Sequence, residues 1–246
     1  MTDTDERGDE PASTEHCKTS GQEGRRSGRT PGRVWRERPS RAELLSLPRF
    51  PSLDPNQVIV AESKVATAKA AAALRDAIVL GFDTESRPVF QAGMKGTGPH
   101  LIQLASATTA VLFPITGGTL PPLLRELLED ARIAKVGFGL KGDHRGLHTK
   151  FGIRLRGGVE VSGLVQALGF RQRVGLQTAV AVVLGQHLVK SKRITTSNWA
   201  ARPLQPAQIA YAAHDAMASL RVYQALRPLS GHGEQVSAAQ HAAPPG

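Results

Sequence analysis

The chain has 246 residues, 40% of them hydrophobic and 21% charged, with a net charge of +10, the make-up of a globular protein long enough to bury one good-sized core. No apolar stretch approaches the ~18 residues of a membrane span, the opening MTDTDERGDE is acidic where a secretory signal is basic and then apolar, and a cytoplasmic location is expected. The single cysteine, Cys17, excludes an intramolecular disulfide, while the surplus of Lys and Arg favours a polyanionic partner such as nucleic acid without identifying one.

Residues 1–55 mix Gly, Pro, Ser, Thr and charge with few apolar residues, too few to offset the entropy of ordering, and are expected to form a disordered tail. Within it GRRSGRTPGRVWRERPSR (24–41) is Arg-rich with one tryptophan, a stretch that can touch phosphates and stack a base, or serve only as a solvated linker. A folded domain is expected over 56–230. VIVAES (58–63) reads as a strand, VATAKAAAALRDA as a helix and AIVLGFDTE as a strand; the Gly-rich QAGMKGTGP forms a turn before two further strands, HLIQLAS and AVLFPI. In GGTLPPLLRELLED, Thr119 stands at an N-cap position ahead of Pro121, Pro122 and an amphipathic helix. IAKVGFG is a short strand leading to a helix from about Gly142, SGLVQALG and LQTAVAVVLG are helices ending at glycine, and PAQIAYAAHDAMASLRVYQAL is a long final helix beginning near Pro206. The residues from about Gly231 to Gly246 are small and polar and are expected to be a loose C-terminal tail. Strands mixed with helices, then a helical C-terminal half, indicate an α/β or α+β domain with one mixed sheet covered by helices.

Gly137, Gly139 and Gly142 spell G-x-G-x-x-G between a strand and a helix, with Glu160 eighteen residues beyond, the spacing of a dinucleotide fingerprint. Asp143 argues against it. An acid in the first turn of the helix would occupy the place where a pyrophosphate must put its own charge, so no nucleotide cofactor is expected, and the glycines are read as serving a tight turn.

The chemistry concentrates in four acids. Asp83 and Glu85 are one residue apart on a strand, so they project from the same face and their oxygens can converge; two such buried charges repel unless a cation sits between them. Asp143 is either a helix cap or a third member of this group. In the last helix Tyr211 and Asp215, at i and i+4, share a face flanked by Ala210, Ala212, Ala213 and Ala216.

FDTE at 82–85, the glycine-rich approach to Asp143 in VGFGLKGDHRGL, and KSKRITTSNWAARPLQPAQIAYAAHDA at 190–216 resemble the DEDD superfamily of 3′-5′ exonucleases, in its tyrosine-containing DEDDy form. The nearest likeness is to the ribonuclease D-like branch that includes the Werner syndrome exonuclease domain. The resemblance spans about residues 57–228 and implies a ribonuclease H-like fold, a mixed β-sheet flanked by α-helices. It implies a phosphodiesterase acting on DNA or RNA 3′ ends through two divalent cations, in which Asp83 bridges both, Glu85 and Asp215 hold the one with the attacking water, Asp143 helps hold the second and Tyr211 orients the water. Carboxylates without a Cys or His cluster suit Mg²⁺ or Mn²⁺ and argue against zinc. Lys190, Lys192, Arg193, Asn198 and Trp199 fall in a block that resembles the family's near the active site, so they are candidate nucleic-acid contacts; alternatively Trp199 packs in the core and the lysines are solvated. Gln103, in an apolar strand, is expected to pair with backbone. His214 and Glu160 depart from the family pattern, where Thr or Asn and Asp are expected. The alternative to an enzyme is a nucleic-acid-binding module that keeps the fold without catalysis.

Overall fold

In the computed structural model, which describes residues 36–89 and 96–227, the apolar runs of the first half pair into one sheet. Its strands are β1 (Val58–Val60), β2 (Val79–Glu85), β3 (Leu101–Ala105), β4 (Ala110–Pro114), β5 (Ala134–Gly137) and β6 (Gly158–Glu160), in the order β1-β4-β3-β2-β5-β6. The hairpin-linked β2, β3 and β4 are antiparallel neighbours, whereas β1–β4, β2–β5 and β5–β6 are parallel. Every residue of β3 and β4 is buried, Gln103 included, so these strands show no alternation of buried and exposed positions.

Period two still sorts their side chains. Ile102, Leu104, Val111 and Phe113, with Leu80 and Phe82 of β2, face a layer made by α2 (Lys64–Leu74), α3 (Pro122–Glu129) and α4 (Leu140–Phe151). Leu101, Ala105, Ala110 and Leu112 face α5 (Val161–Gln166), α6 (Leu176–Leu184) and the 21-residue α8 (Pro206–Leu226). A four-residue helix, α7 (Lys192–Thr195), precedes α8. Among the described residues no helix is long and apolar enough to cross a membrane.

Three expectations are adjusted. Helix α3 begins at Pro122 with Pro121 as its N-cap and no side-chain cap, not at Thr119, because each proline holds the residue before it out of the helical region. Helix α4 starts earlier than Gly142, at Leu140, after Gly139 turns the chain through a left-handed φ of 79°. The N-terminal segment from residue 36 onward is laid along the domain rather than loose: Ser40 and Glu43 close a capping box on α1 (Arg41–Ser46), Arg36 bridges to Phe170, Arg49 bridges to His187, and Phe50 is buried in the core. A few well-placed anchors therefore suffice where the average composition is polar. Residues 1–35, 90–95 and 228–246, which hold the rest of both expected tails and most of the QAGMKGTGP turn, lie outside the described residues.

Helix α8 lies across β2 and β3 at close range. A Cβ on Gly81 would fall on the carbonyl oxygen of Ala216, far inside van der Waals contact, and would also crowd Leu220. Gly81→Ala should therefore push α8 off the sheet and lower stability by about 2 kcal/mol or more, read as a drop in melting temperature. Gly142→Ala, in α4 with nothing within 4 Å of its added carbon, should instead be neutral or gain about 0.5–1 kcal/mol.

Candidate active site

The strand face that carries Gly81 carries Asp83 and Glu85 two and four residues on, at the end of β2. Because α8 crosses there, Asp215 is brought to the same point: one carboxylate oxygen from each of Asp83, Glu85 and Asp215 lies within 4.8 Å of the others. Asp215 is buried and the other two are half-buried. Thr84, between the paired acids, points to the opposite face and donates from Oγ1 to Asp143 Oδ1 at 2.5 Å. Thus the four acids meet around the tip of β2, three on the α8 side and Asp143 held by Thr84 on the α4 side.

Crowding raises these carboxyls. Burial, then Asp215 and Asp143, holds the Asp83 pKa well above the ordinary carboxylate range; burial and the neighbouring Asp83 push Glu85 up to about 9; burial raises Asp143 to about 6 despite its Thr84 bond. At Asp215 burial also wins, raising the group against the pull of Lys190 and Tyr211. Protonated or mutually repelling acids around one point are the electrostatic signature of a cation site, and all the donors are hard oxygens that match Mg²⁺ or Mn²⁺.

One resident cation reaches the cluster. Lys190 donates to Asp215 Oδ2 at 2.7 Å, and its ammonium lies 5.1 Å from the centroid of the Tyr211 ring. Burial opposes its charge, but Asp215 outweighs that and holds the lysine pKa above its usual value. Tyr211 shares a 2.8 Å hydrogen bond with Thr195, and burial followed by the charge of Asp215 raises its pKa, so the phenol keeps its proton at neutral pH.

The other candidates separate. Lys192, Arg193 and Asn198 are exposed on and after α7, and Asn198 Oδ1 accepts from Ala200 N–H. Trp199 is fully buried, donates from Nε1 to the Thr195 carbonyl and packs at 6.0 Å from the Tyr211 ring. It has no surface to offer a nucleic acid, and the packed alternative describes it. Gln103 lies opposite Asp83 in the β2–β3 register, fully buried, and neither amide atom finds a partner among the described residues, contrary to the expected backbone pairing. His214 faces away from the acids, accepting from Leu53 N–H at 3.3 Å and meeting Phe50 edge to face; it fastens the N-terminal segment.

Glu160 explains the glycine-rich turn. Its carboxylate accepts from Gly139 N–H and Leu140 N–H at the start of α4 and from both the N–H and the hydroxyl of Ser162 at the start of α5. The chain's own anion fills the place a pyrophosphate would take. Thr84, Thr195 and the true partner of Lys190 escape sequence reasoning; only Thr84 left a signal, as the odd residue of D-T-E that must face the other way.

A family model described as 3′-5′ exonuclease matches residues 58–230. The chain belongs to the 3′-5′ exonuclease family, part of the DEDD superfamily. A bifunctional 3′-5′ exonuclease/ATP-dependent helicase of Mus musculus is 36% identical over 155 residues, 62% of this chain and 11% of that protein. A 3′-5′ exonuclease of Arabidopsis thaliana is 31% identical over 152 residues, 61% of this chain and 53% of that one. The chain thus spans about half or less of these two relatives. The crystal structure of the Aedes aegypti Nibbler EXO domain superposes with a TM-score of 0.61 at 22% identity, covering 74% of this chain and 94% of that domain. This likeness shows the fold, the expected ribonuclease H-like arrangement of a mixed sheet flanked by helices.

The raised carboxyls of this exonuclease-family domain fix a sign. Glu85 prefers its protonated form in the fold, with a pKa of about 9 against an ordinary 4.5, so its contribution is fully present below 4.5 and lost as pH rises toward 9. In EDTA, Glu85→Gln should leave the melting temperature unchanged near pH 4 and raise it increasingly up to pH 9, by roughly 3 °C or more, about 1 kcal/mol for a domain of this size. Thermal melts at four pH values would check it.

Proposed function

We propose that this chain is a metal-dependent 3′-5′ exonuclease that hydrolyses the terminal phosphodiester of a nucleic acid and releases nucleoside 5′-monophosphates. The convergence of Asp83, Glu85 and Asp215 within 4.8 Å, in a chain of the exonuclease family, carries the reading. Water attacks the phosphorus, the bond from phosphorus to the 3′ oxygen of the preceding nucleotide breaks, and that oxygen takes a proton to become the new 3′ end.

Asp83, Glu85 and Asp215 would hold one divalent ion, and Asp83 with Asp143 would hold a second. Bound Mg²⁺ or Mn²⁺ supplies an activated water and neutralises charge on the attacking and leaving oxygens. The protein's part is placement. Tyr211, still protonated, fixes the attacking water by a hydrogen bond rather than by taking its proton, and the buried Trp199 behind it limits where the ring can move. Lys192 and Arg193 in α7 and Asn198 after it, all exposed, would meet backbone phosphates or sugars, contacts that position a strand without reading its sequence. DNA and RNA 3′ ends both fit such a backbone-directed site.

The test is a time course on 5′-labelled single-stranded DNA, single-stranded RNA and a recessed duplex, each with Mn²⁺, Mg²⁺ or EDTA. A metal-dependent ladder of shortening products is expected, with Asp83→Ala losing roughly 10³-fold or more and Tyr211→Phe roughly 10²-fold, as for removal of an electrostatic or a positioning group. Intact substrate under every metal condition, with binding retained in a gel shift, would instead establish the non-catalytic binding module.

A further inference from the structure

Three carboxylates meet at one point, and one ammonium is already there. Lys190 Nζ stands 2.7 Å from Asp215 Oδ2, and where burial raises the carboxyls of Asp215, Asp83 and Glu85 its charge offsets part of that rise. The lysine reaches this place from the segment between α6 and α7, which is fixed by burial of Leu188 and by the bond from Gln177 Nε2 to the Leu188 carbonyl. Its side chain is 28% exposed while that of Asp215 is 3% exposed. The lysine side chain therefore meets water along part of its length, and the carboxylate is sealed from it.

We propose that Lys190 is an exchangeable counter-ion of the acid cluster: it holds Asp215 while the cluster is metal-free and gives it up when a divalent cation enters. The proposal rests on the metal reading given above. An ammonium on the one buried carboxylate of the cluster and a doubly charged ion shared by the same three carboxylates would stand within a few ångströms of each other, where like charges repel strongly in a shielded site. One of them leaves. The cation on a flexible, part-exposed stem is the one that can, giving up with the ion pair its place 5.1 Å from the centroid of the Tyr211 ring. Such a device lets the fold carry three converging acids without metal and makes metal binding a replacement of one cation by another, at some cost in affinity.

The direct test uses the full chain labelled with ¹⁵N-lysine. Proton–nitrogen correlation of its ammonium groups, with Lys190 assigned through Lys190→Arg, should show a slowly exchanging, ion-paired signal in EDTA that is lost or shifted when Mg²⁺ saturates the protein. By calorimetry Lys190→Met should bind Mn²⁺ about tenfold more tightly, as removal of a neighbouring like charge predicts, and should melt lower than the parent in EDTA. Lys192→Met, exposed two residues on, should leave Mn²⁺ affinity unchanged. A Lys190 signal that persists unaltered at saturating Mg²⁺ would overturn the exchange. So would an equal gain in affinity from Lys192→Met, which would reduce the effect to overall charge, or a Lys190→Met protein with unchanged Mn²⁺ affinity and the same loss of melting temperature with and without metal. No Mn²⁺ binding by the parent would remove the metal reading itself, and the exchange with it.

Discussion

Everything at the acid cluster depends on how closely α8 approaches β2. A helix normally packs on a sheet through a layer of side chains, but at Gly81 there is none, and the carbonyl of Ala216 occupies the space. The alanines around it let the rest of the helix settle at the same depth. Only at this depth does Asp215, one residue before Ala216, reach the end of the strand that carries Asp83 and Glu85. The glycine and the acids share a strand face because of the two-residue period, so one crossing sets both the packing and the chemistry.

That geometry concentrates charge where a fold would ordinarily avoid it. Burial raises all four carboxyls, with repulsion from neighbouring acids added at Asp83 and Glu85, and the three that converge remain close because strong elements deliver them: the centre of a six-stranded sheet and a 21-residue helix. The same region holds a fully buried glutamine amide with no partner among the described residues, across the ladder from Asp83. Unmet polar groups and repelling acids on rigid elements are stability given up for a site.

Much of this was legible in the chain. Alternation placed Asp83 and Glu85 together, and i,i+4 spacing placed Tyr211 over Asp215. What lay hidden were partnerships between distant residues. Lys190 and Asp215 are 25 positions apart, and a basic run reads as solvated or phosphate-binding until a fold shows which member turns inward. Trp199 gave no sign of its burial, since an indole suits a core and a base equally well. The polar average of residues 36–55 masked a few anchoring groups, Phe50 above all, and composition averages cannot see single anchors. The departures at Glu160 and His214 proved structural, joining two helix starts and fastening an extended segment.

The N-terminal segment that His214 fastens has a wider meaning. Its residues 48–50 exchange backbone hydrogen bonds with His187, from His187 N–H to the Pro48 carbonyl and from Phe50 N–H to the His187 carbonyl. Three residues later the same stretch delivers Lys190 to the acids. The family model begins at residue 58, so a protein shortened to that boundary would keep all four acids and lose the brace behind its lysine. The working unit of this molecule is longer than the family model's outline: part of the site's frame is supplied by a segment that lies ahead of that boundary.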